Sequence, residues 1–315
     1  MNLLKIINFK LLNFFFFNEL NLHLGPEILL KDNPRLIYAR LTGFGSDGYY
    51  ANRAGHDINY IAVSGLLSMF GRKNEKPIAP VNFAADFAGG GLLCAFGILT
   101  ALLERHRSGK GQIVDCAMVE GSAYVASWLF RSQKLPIWGQ DRGENILDSG
   151  SAFYDTYETK DGKFMSVGAL EPQFYEEFIK GLGLDIKSVS QYGDVEEMRK
   201  LFANTFKTKT QNQWSLIFDN VDACVFPVLD WKTAPNHEHN KNRDVFVDAL
   251  KTDGEIIPNP APKLSRTPGR SSYCEREKHL VDQAMDILHE IGLKRNDIRE
   301  LYEENVLLLE DKAKL

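Results

Sequence analysis

An imidazole and two carboxyl groups stand at loop-to-helix junctions along this chain, where protein scaffolds commonly mount working side chains. His56 opens a helical stretch in Gly55-His56-Asp57-Ile58-Asn59-Tyr60, and Asp86 opens another in Asn82-Phe83-Ala84-Ala85-Asp86-Phe87-Ala88-Gly89-Gly90-Gly91. Glu171 ends a strand and begins a helix in Gly168-Ala169-Leu170-Glu171-Pro172. Groups of this kind take up and release protons, so general acid and base work is the chemistry open to them. Ordinary structural roles compete with it. Asp86 is a good helix N-cap, Glu171 before Pro172 could serve the same end, and a lone histidine at a helix start is more often simply hydrogen-bonded. Asp86 stands out because Gly89, Gly90 and Gly91 weaken the very helix it would cap. Something is therefore expected to approach that backbone closely.

Other catalytic signatures are missing. No G-x-G-x-x-G stands between a strand and a helix, no Walker A or H-E-x-x-H motif occurs, and Gly121-Ser122-Ala123 lacks the second glycine of a hydrolase elbow. The four cysteines, Cys94, Cys116, Cys224 and Cys274, are far apart without a C-x-x-C. They read as small packed residues in a reducing compartment rather than as a zinc site or a disulfide framework.

The elements that must hold these residues follow from the patterning. Pro34 to Leu41 is a short apolar run of strand formers that ends in the turn Thr42-Gly43-Phe44-Gly45. Residues 56 to 67 carry apolar side chains at helical spacing, and a polar loop with two prolines spans 71 to 80. The stretch from Asp86 to Leu103 is rich in Ala, Gly and Leu, and it closes on Glu104-Arg105-His106-Arg107 before Gly109, an ordinary helix stop. A strand at 111 to 115 and an apolar helix at 118 to 130 come next. Two alternating runs, 153–158 and 163–168, flank Asp161-Gly162 and predict a β-hairpin. Helices are expected over 172–182, 195–206 and 211–218, with a closing strand at 224–229. Residues 257 to 268 carry four prolines and read as an extended return, and helices over 275–293 and 296–304 finish the chain.

With 315 residues, 44% hydrophobic and 25% charged, the sequence has the make-up of a globular enzyme or binding protein. A net charge of -5 gives no general reason to bind nucleic acid. The N-terminal stretch holds four consecutive phenylalanines, Phe14 to Phe17. Lys5, Asn8, Lys10, Asn13 and Asn18 interrupt the apolar run, so no membrane span is expected there. The chain ends Ala313-Lys314-Leu315, a tripeptide of the peroxisomal S-K-L type.

Taken together, the segments Leu36 to Gly45, Ala54 to Tyr60, Asp86 to Gly91, Gly109-Lys110-Gly111-Gln112 and Gly168 to Tyr175 resemble the α-methylacyl-CoA racemases of the family III CoA-transferase superfamily. The likeness runs over roughly residues 24 to 267. It implies epimerisation of 2-methyl-branched acyl-CoA thioesters through an enolate, with no metal or organic cofactor. It also implies His56 and Asp86 as the two acid/base residues, Glu171 as the carboxylate paired with the histidine, Asp57 as a neighbour of the thioester, and Tyr154 and Asn82 as substrate contacts. Inverting a stereocentre this way needs a base on one face of the enolate and an acid on the other. A neutral imidazole and a protonated carboxylic acid suit that task if burial favours the protonated acid. Backbone N–H groups at the starts of the His56 and Asp86 helices could hold the enolate oxygen.

The implied fold is α/β: a Rossmann-like large domain (1–116 and 260–315), a linker (117–147), a smaller α+β domain (148–231) and a return linker (232–259), in an interlocked homodimer. Glu171 and Tyr154 would reach the site from the small domain of the second copy. The implied partners are branched-chain or bile-acid-intermediate CoA thioesters, in peroxisomes and also in mitochondria. One departure stands out. Before Leu24-Gly25-Pro26 the family has a first βα unit with basic residues for the CoA phosphates, and here that unit is shortened or replaced, with Phe15-Phe16-Phe17-Asn18 and Asn21 where the family tends to show F-R-P-G and then an arginine. CoA affinity is expected to fall and the large domain to lack a strand. A CoA-transferase with Asp86 as nucleophile, and an inactive acyl-CoA-binding or dimerising form, remain open beside the racemase.

Overall fold

The computed structural model describes residues 9–13, 24–249, 255–271, 287–289 and 292–303. The phenylalanine run, Cys274, the C-terminal tripeptide and most of the helix expected over 275–293 lie outside them. The chain forms two compact units, Met1–Val228 and Leu229–Leu315.

The first unit begins with a parallel three-stranded sheet in the order β1 (Phe9–Asn13), β2 (Ile37–Thr42), β3 (Ile113–Ala117). The central strand buries Ile37, Tyr38 and Ala39 completely, as expected of a parallel strand covered on both faces. The expected shortage of a strand at the N-terminus meets a different outcome: Phe9-Lys10-Leu11-Leu12-Asn13 pairs with residues 37–41. Helix α1 (Pro26–Asp32) connects the two strands, opened by Pro26 at its first turn.

The His56 and Asp86 junctions both lie between β2 and β3. Helix α2 (Asp57–Val63) buries Asp57, Tyr60 and Ile61, an i, i+3, i+4 stripe. It stops earlier than the apolar spacing predicts because Gly65 takes a left-handed conformation, φ +87°, and only a short 3-10 turn, Leu66–Met69, follows. The Asp86 helix starts earlier than expected, at Phe83, and its first ten residues, Phe83–Leu92, are wound as a π-helix. It continues as the regular helix α3 (Leu93–Ser108), which ends at Gly109, φ +76°, as the sequence indicates.

Gly89 in the π-helical segment has a clear cause. Helix α4 (Met118–Val125) packs against it backbone to backbone: a Cβ on Gly121 would lie 1.8 Å from the Gly89 carbonyl oxygen, and one on Gly89 would lie 2.5 Å from the Ser122 nitrogen. The close approach foreseen at Gly89 is thus made by a neighbouring helix. Residues 118–125, read as part of a linker, are packed into the same core as the Asp86 helix, followed by helix α5 (Ser127–Ser132). The thiol of Cys116 points at the Gly89 and Gly90 carbonyls, 3.8 and 3.6 Å away. Burial first, then the neighbouring Cys94, pushes that thiol up to about 12. It is a packed, protonated group, in keeping with the structural reading of the cysteines.

The opposite face of this long helix is bare. Phe83, Phe87, Leu92, Phe96, Leu99 and Leu103 are each about two-thirds exposed. By length and composition the helix Phe83–Ser108 could cross a membrane, although one such helix is weak grounds for a span.

The second half of this unit carries an antiparallel sheet, β4 (Tyr154–Glu158), β5 (Phe164–Gly168) and β6 (Val225–Val228). The predicted hairpin turns at Gly162, φ +73°. Helices α6 (Pro172–Gly181), α7 (Val195–Phe206) and α8 (Gln211–Phe218) cover the sheet close to their expected bounds. Their aromatic rings form the largest core: Phe178, Phe202, Phe206 and Trp214 are fully buried, and Tyr157 stacks on Phe206 at 5.3 Å.

The unit Leu229–Leu315 holds helix α9 (Glu238–Asn242), a two-stranded ladder of β7 (Phe246–Ala249) with β8 (Glu255–Pro258), and helix α10 (Arg295–Glu303), in which Ile298 is buried. The ladder falls in a stretch read as a return linker.

Candidate active site

His56 takes the N-cap position of α2 with extended backbone, and the Asn59 side-chain oxygen accepts its N–H at 3.1 Å. That leaves the residue exposed at the very start of the helix. The next residue faces the other way. Asp57 is 1% exposed, and its Oδ2 accepts the backbone N–H groups of Ala85 at 2.6 Å and Asp86 at 3.0 Å. The capping of the Asp86 helix, assigned in the sequence to Asp86 itself, is thus done by Asp57 across 28 residues. Its other oxygen, Oδ1, is buried and has no partner among the described residues.

Freed from capping, the Asp86 carboxylate sits half-buried in the first turn and accepts a hydrogen bond from Asn82 Nδ2 at 2.9 Å. Tyr60 completes the neighbourhood. Its hydroxyl donates to the Gly55 carbonyl, and its ring meets Phe44 edge-on at 4.9 Å. Burial, and then the charge of Asp86, push the phenol upward, so it stays protonated. A Cβ on Gly43 would fall 2.3 Å from the Tyr60 ring, which accounts for the glycine after Thr42. His56, Asp57, Tyr60, Asn82 and Asp86 therefore belong to one corner, with the Asp57 carboxylate as its joint.

Glu171 and Tyr154 sit elsewhere. Glu171 holds the N-cap position of α6, but its side chain makes no capping bond, so the carboxylate is exposed and uncommitted to the helix. Its charge is felt by Cys224, whose thiol is raised first by burial, then by Asp222 and Glu171. Tyr154 and Cys224 line a groove of about 440 Å³ on the small sheet. Among the described residues, no hydrogen bond or ion pair joins Glu171 or Tyr154 to His56 or Asp86. A larger cavity, about 660 Å³, is walled by Met69, Phe70, Arg72, Leu129, Trp138 and Arg142, among others, rather than by His56 or Asp86.

Sequence reasoning missed two features. Tyr60 was legible as the last residue of Gly55-His56-Asp57-Ile58-Asn59-Tyr60, but nothing in the pattern placed its hydroxyl near Asp86. Asp155, next to Tyr154, is a buried carboxylate held by Arg72 and Arg199, and no local pattern announces a contact across 83 residues. The expectation that amides of both helix starts could serve an enolate oxygen also changes. Those of Ala85 and Asp86 are engaged by Asp57.

The family model described as CoA-transferase family III matches residues 19–274. The chain is 50% identical over 289 residues to the alpha-methylacyl-CoA racemase of Homo sapiens, which covers 91% of this chain and 75% of that protein. It is also 50% identical over 291 residues to the alpha-methylacyl-CoA racemase of Mus musculus, with the same coverage. Among solved structures it is similar to a CAIB/BAIF family protein from Brucella suis, with a TM-score of 0.71 and 21% identity over 92% of this chain and 76% of that one. That likeness is one of fold.

Proposed function

The chain belongs to CoA-transferase family III, and we propose from that premise that it is an isomerase that epimerises 2-methyl-branched acyl-CoA thioesters by proton transfer through an enolate. His56 takes the α-proton from one face, and Asp86 delivers its own proton to the opposite face. In the reverse direction the two exchange roles. The enolate oxygen is held by backbone N–H groups at the start of α2, since the Asp86 helix has given its amides to Asp57. The observation that carries this reading is the Asp57 carboxylate, buried against the Ala85 and Asp86 amides one residue from His56. It ties the first turn of the helix that follows His56 to the first turn of the Asp86 helix, which supports the pairing. Asn82 orients Asp86. The reaction uses no metal or organic cofactor, since both proton carriers are side chains.

The test is deuterium uptake at C2 of a branched acyl-CoA in heavy water, with inversion followed by chiral separation. Uptake with inversion is the expected result. Acyl transfer to a second acid without C2 labelling would replace the racemase by a transferase using Asp86 as nucleophile. No binding of the thioester by calorimetry would point to an inert form.

The protein works as a homodimer in which a second copy supplies Glu171 and Tyr154. The bare apolar row from Phe83 to Leu103 and the separation of Glu171 from His56 within one chain both support this. The second copy also shields Asp86, and a carboxylic acid that is to hand on a proton works better out of water. Sedimentation of the purified chain should give twice the chain mass. A monomer at concentrations that sustain turnover would sink this part of the proposal. Branched fatty acyl and bile-acid-intermediate thioesters are the proposed substrates, and the S-K-L-type tripeptide Ala313-Lys314-Leu315 supports a peroxisomal location.

A further inference from the structure

We propose that Arg72 and Asp155 are positioning residues for Asp86: their ion pair clamps the loop that delivers the Asp86 helix. The inference rests on the proton-transfer reading above for its catalytic readout, and on backbone geometry for the rest.

The loop from Phe70 to Asn82 ends in an unusual way. Val81 and Asn82 are consecutive non-glycine residues in the left-handed region, with φ +51° and +58°. Asparagine tolerates that conformation, whereas for a β-branched valine it is a genuine outlier. Val81 is 89% exposed, so no packing of its side chain compensates. Such a conformation persists only where both flanks are fixed by their surroundings. On the far side the flank is fixed by the Asp57 carboxylate on Ala85 and Asp86, and by the Phe83 N–H donating to the Pro80 carbonyl at 3.0 Å.

On the near side Arg72 is a fixing group, beside the ion pair of Lys73 with Glu144. Its guanidinium donates two bonds to the Asp155 carboxylate, at 3.0 and 2.8 Å, a fork-on-fork pair with defined direction. Asp155 is itself an immobile anchor. Its side chain is 5% exposed, and its carboxylate also takes Arg199 Nη1 and the Thr156 N–H at 2.7 Å. Arg142 bridges the Glu75 carbonyl of the same loop and the Ser68 carbonyl of the turn before it, and the loop closes on itself through the Ile78 N–H to the Phe70 carbonyl at 3.1 Å. The two arginines on Asp155 do different things. Arg72 ties the loop to β4, whereas Arg199 ties α7 to β4 and to the Ser149 carbonyl at 2.9 Å. Severing one leaves the other in place.

That division supplies the test. Arg72→Gln, Arg72→Lys and Arg199→Gln are compared in the full chain for kcat and KM of inversion and for backbone amide exchange over residues 78–86. Arg72→Gln should lower kcat by about ten-fold or more while KM stays within about two-fold, because misplacement of a proton donor weighs on the chemical step. Arg72→Lys, which keeps the charge without the fork, should recover part of the loss. Arg199→Gln should lower the thermal midpoint yet keep kcat within about two-fold. Amide exchange over 78–86 should rise in Arg72→Gln and not in Arg199→Gln. Equal loss of kcat in the two glutamine variants, or an unchanged amide pattern in folded Arg72→Gln, overturns the proposal. If the wild-type chain does not exchange or invert C2 at all, the racemase reading fails, and the amide comparison alone still decides the clamp.

Discussion

Asp86→Asn separates inversion from exchange. With His56 intact, the isomer whose C2 hydrogen faces the imidazole still loses and regains it on the same face, so deuterium enters without a change of configuration. Inversion, which needs a donor on the opposite face, falls by about 10²- to 10⁴-fold. Asparagine keeps an oxygen able to accept from Asn82 Nδ2, and the Asp57 bonds to the Ala85 and Asp86 amides involve only backbone at that position. The variant is therefore expected to fold. His56→Ala should show the mirror image, with exchange confined to the other isomer. Chiral separation of both isomers after incubation in heavy water reads all four rates. Near wild-type inversion by Asp86→Asn would end the assignment.

Gly121→Ala is the largest expected effect on stability. The new methyl would lie 1.8 Å from the Gly89 oxygen and 2.6 Å from its carbonyl carbon. Both belong to backbone, so no side-chain rotation relieves the overlap. Helix α4 and the π-helical segment must move apart, which costs about 3 kcal/mol or more. The segment that moves carries Asp86, so inversion should fall together with the denaturation midpoint. Urea unfolding of the wild type and the variant measures the first effect, and inversion in the folded fraction measures the second. A midpoint within error of wild type would show that the two backbones are not locked.

Both positions bear on what the residues alone can disclose. Local signals were plain in the sequence. The hairpin around Asp161-Gly162, the amphipathic helices that bury Phe178, Phe202 and Trp214, and the stop at Gly109 depend on neighbours a few positions away. The helix starts after His56 and Glu171 were legible for the same reason. Features made by distant partners were not. Nothing near Asp57 says that its carboxylate will cap a helix that starts at Phe83. The π-helical segment meets Gly121 backbone to backbone, a contact with a partner some thirty residues away that no local pattern announces. The ladder of Phe246–Ala249 with Glu255–Pro258 was hidden by its brevity and by the prolines that follow. Glu171 and Tyr154 lie apart from His56 within one chain, and the route to the imidazole proposed for them runs through a second copy, which one chain's pattern does not encode.

The order of the parallel sheet has a consequence for how the site comes into being. β2 and β3 are adjacent, yet Thr42 and Ile113 are separated along the chain by the whole stretch that contains His56, Asp57, Asn82 and Asp86. Both members of the proposed acid/base pair are strung on a single crossover between neighbouring strands. During synthesis that crossover stays open until Ala117 has emerged, and one non-local pairing event then fixes both ends together. The imidazole and the carboxyl would be inherited, lost or transplanted as one piece.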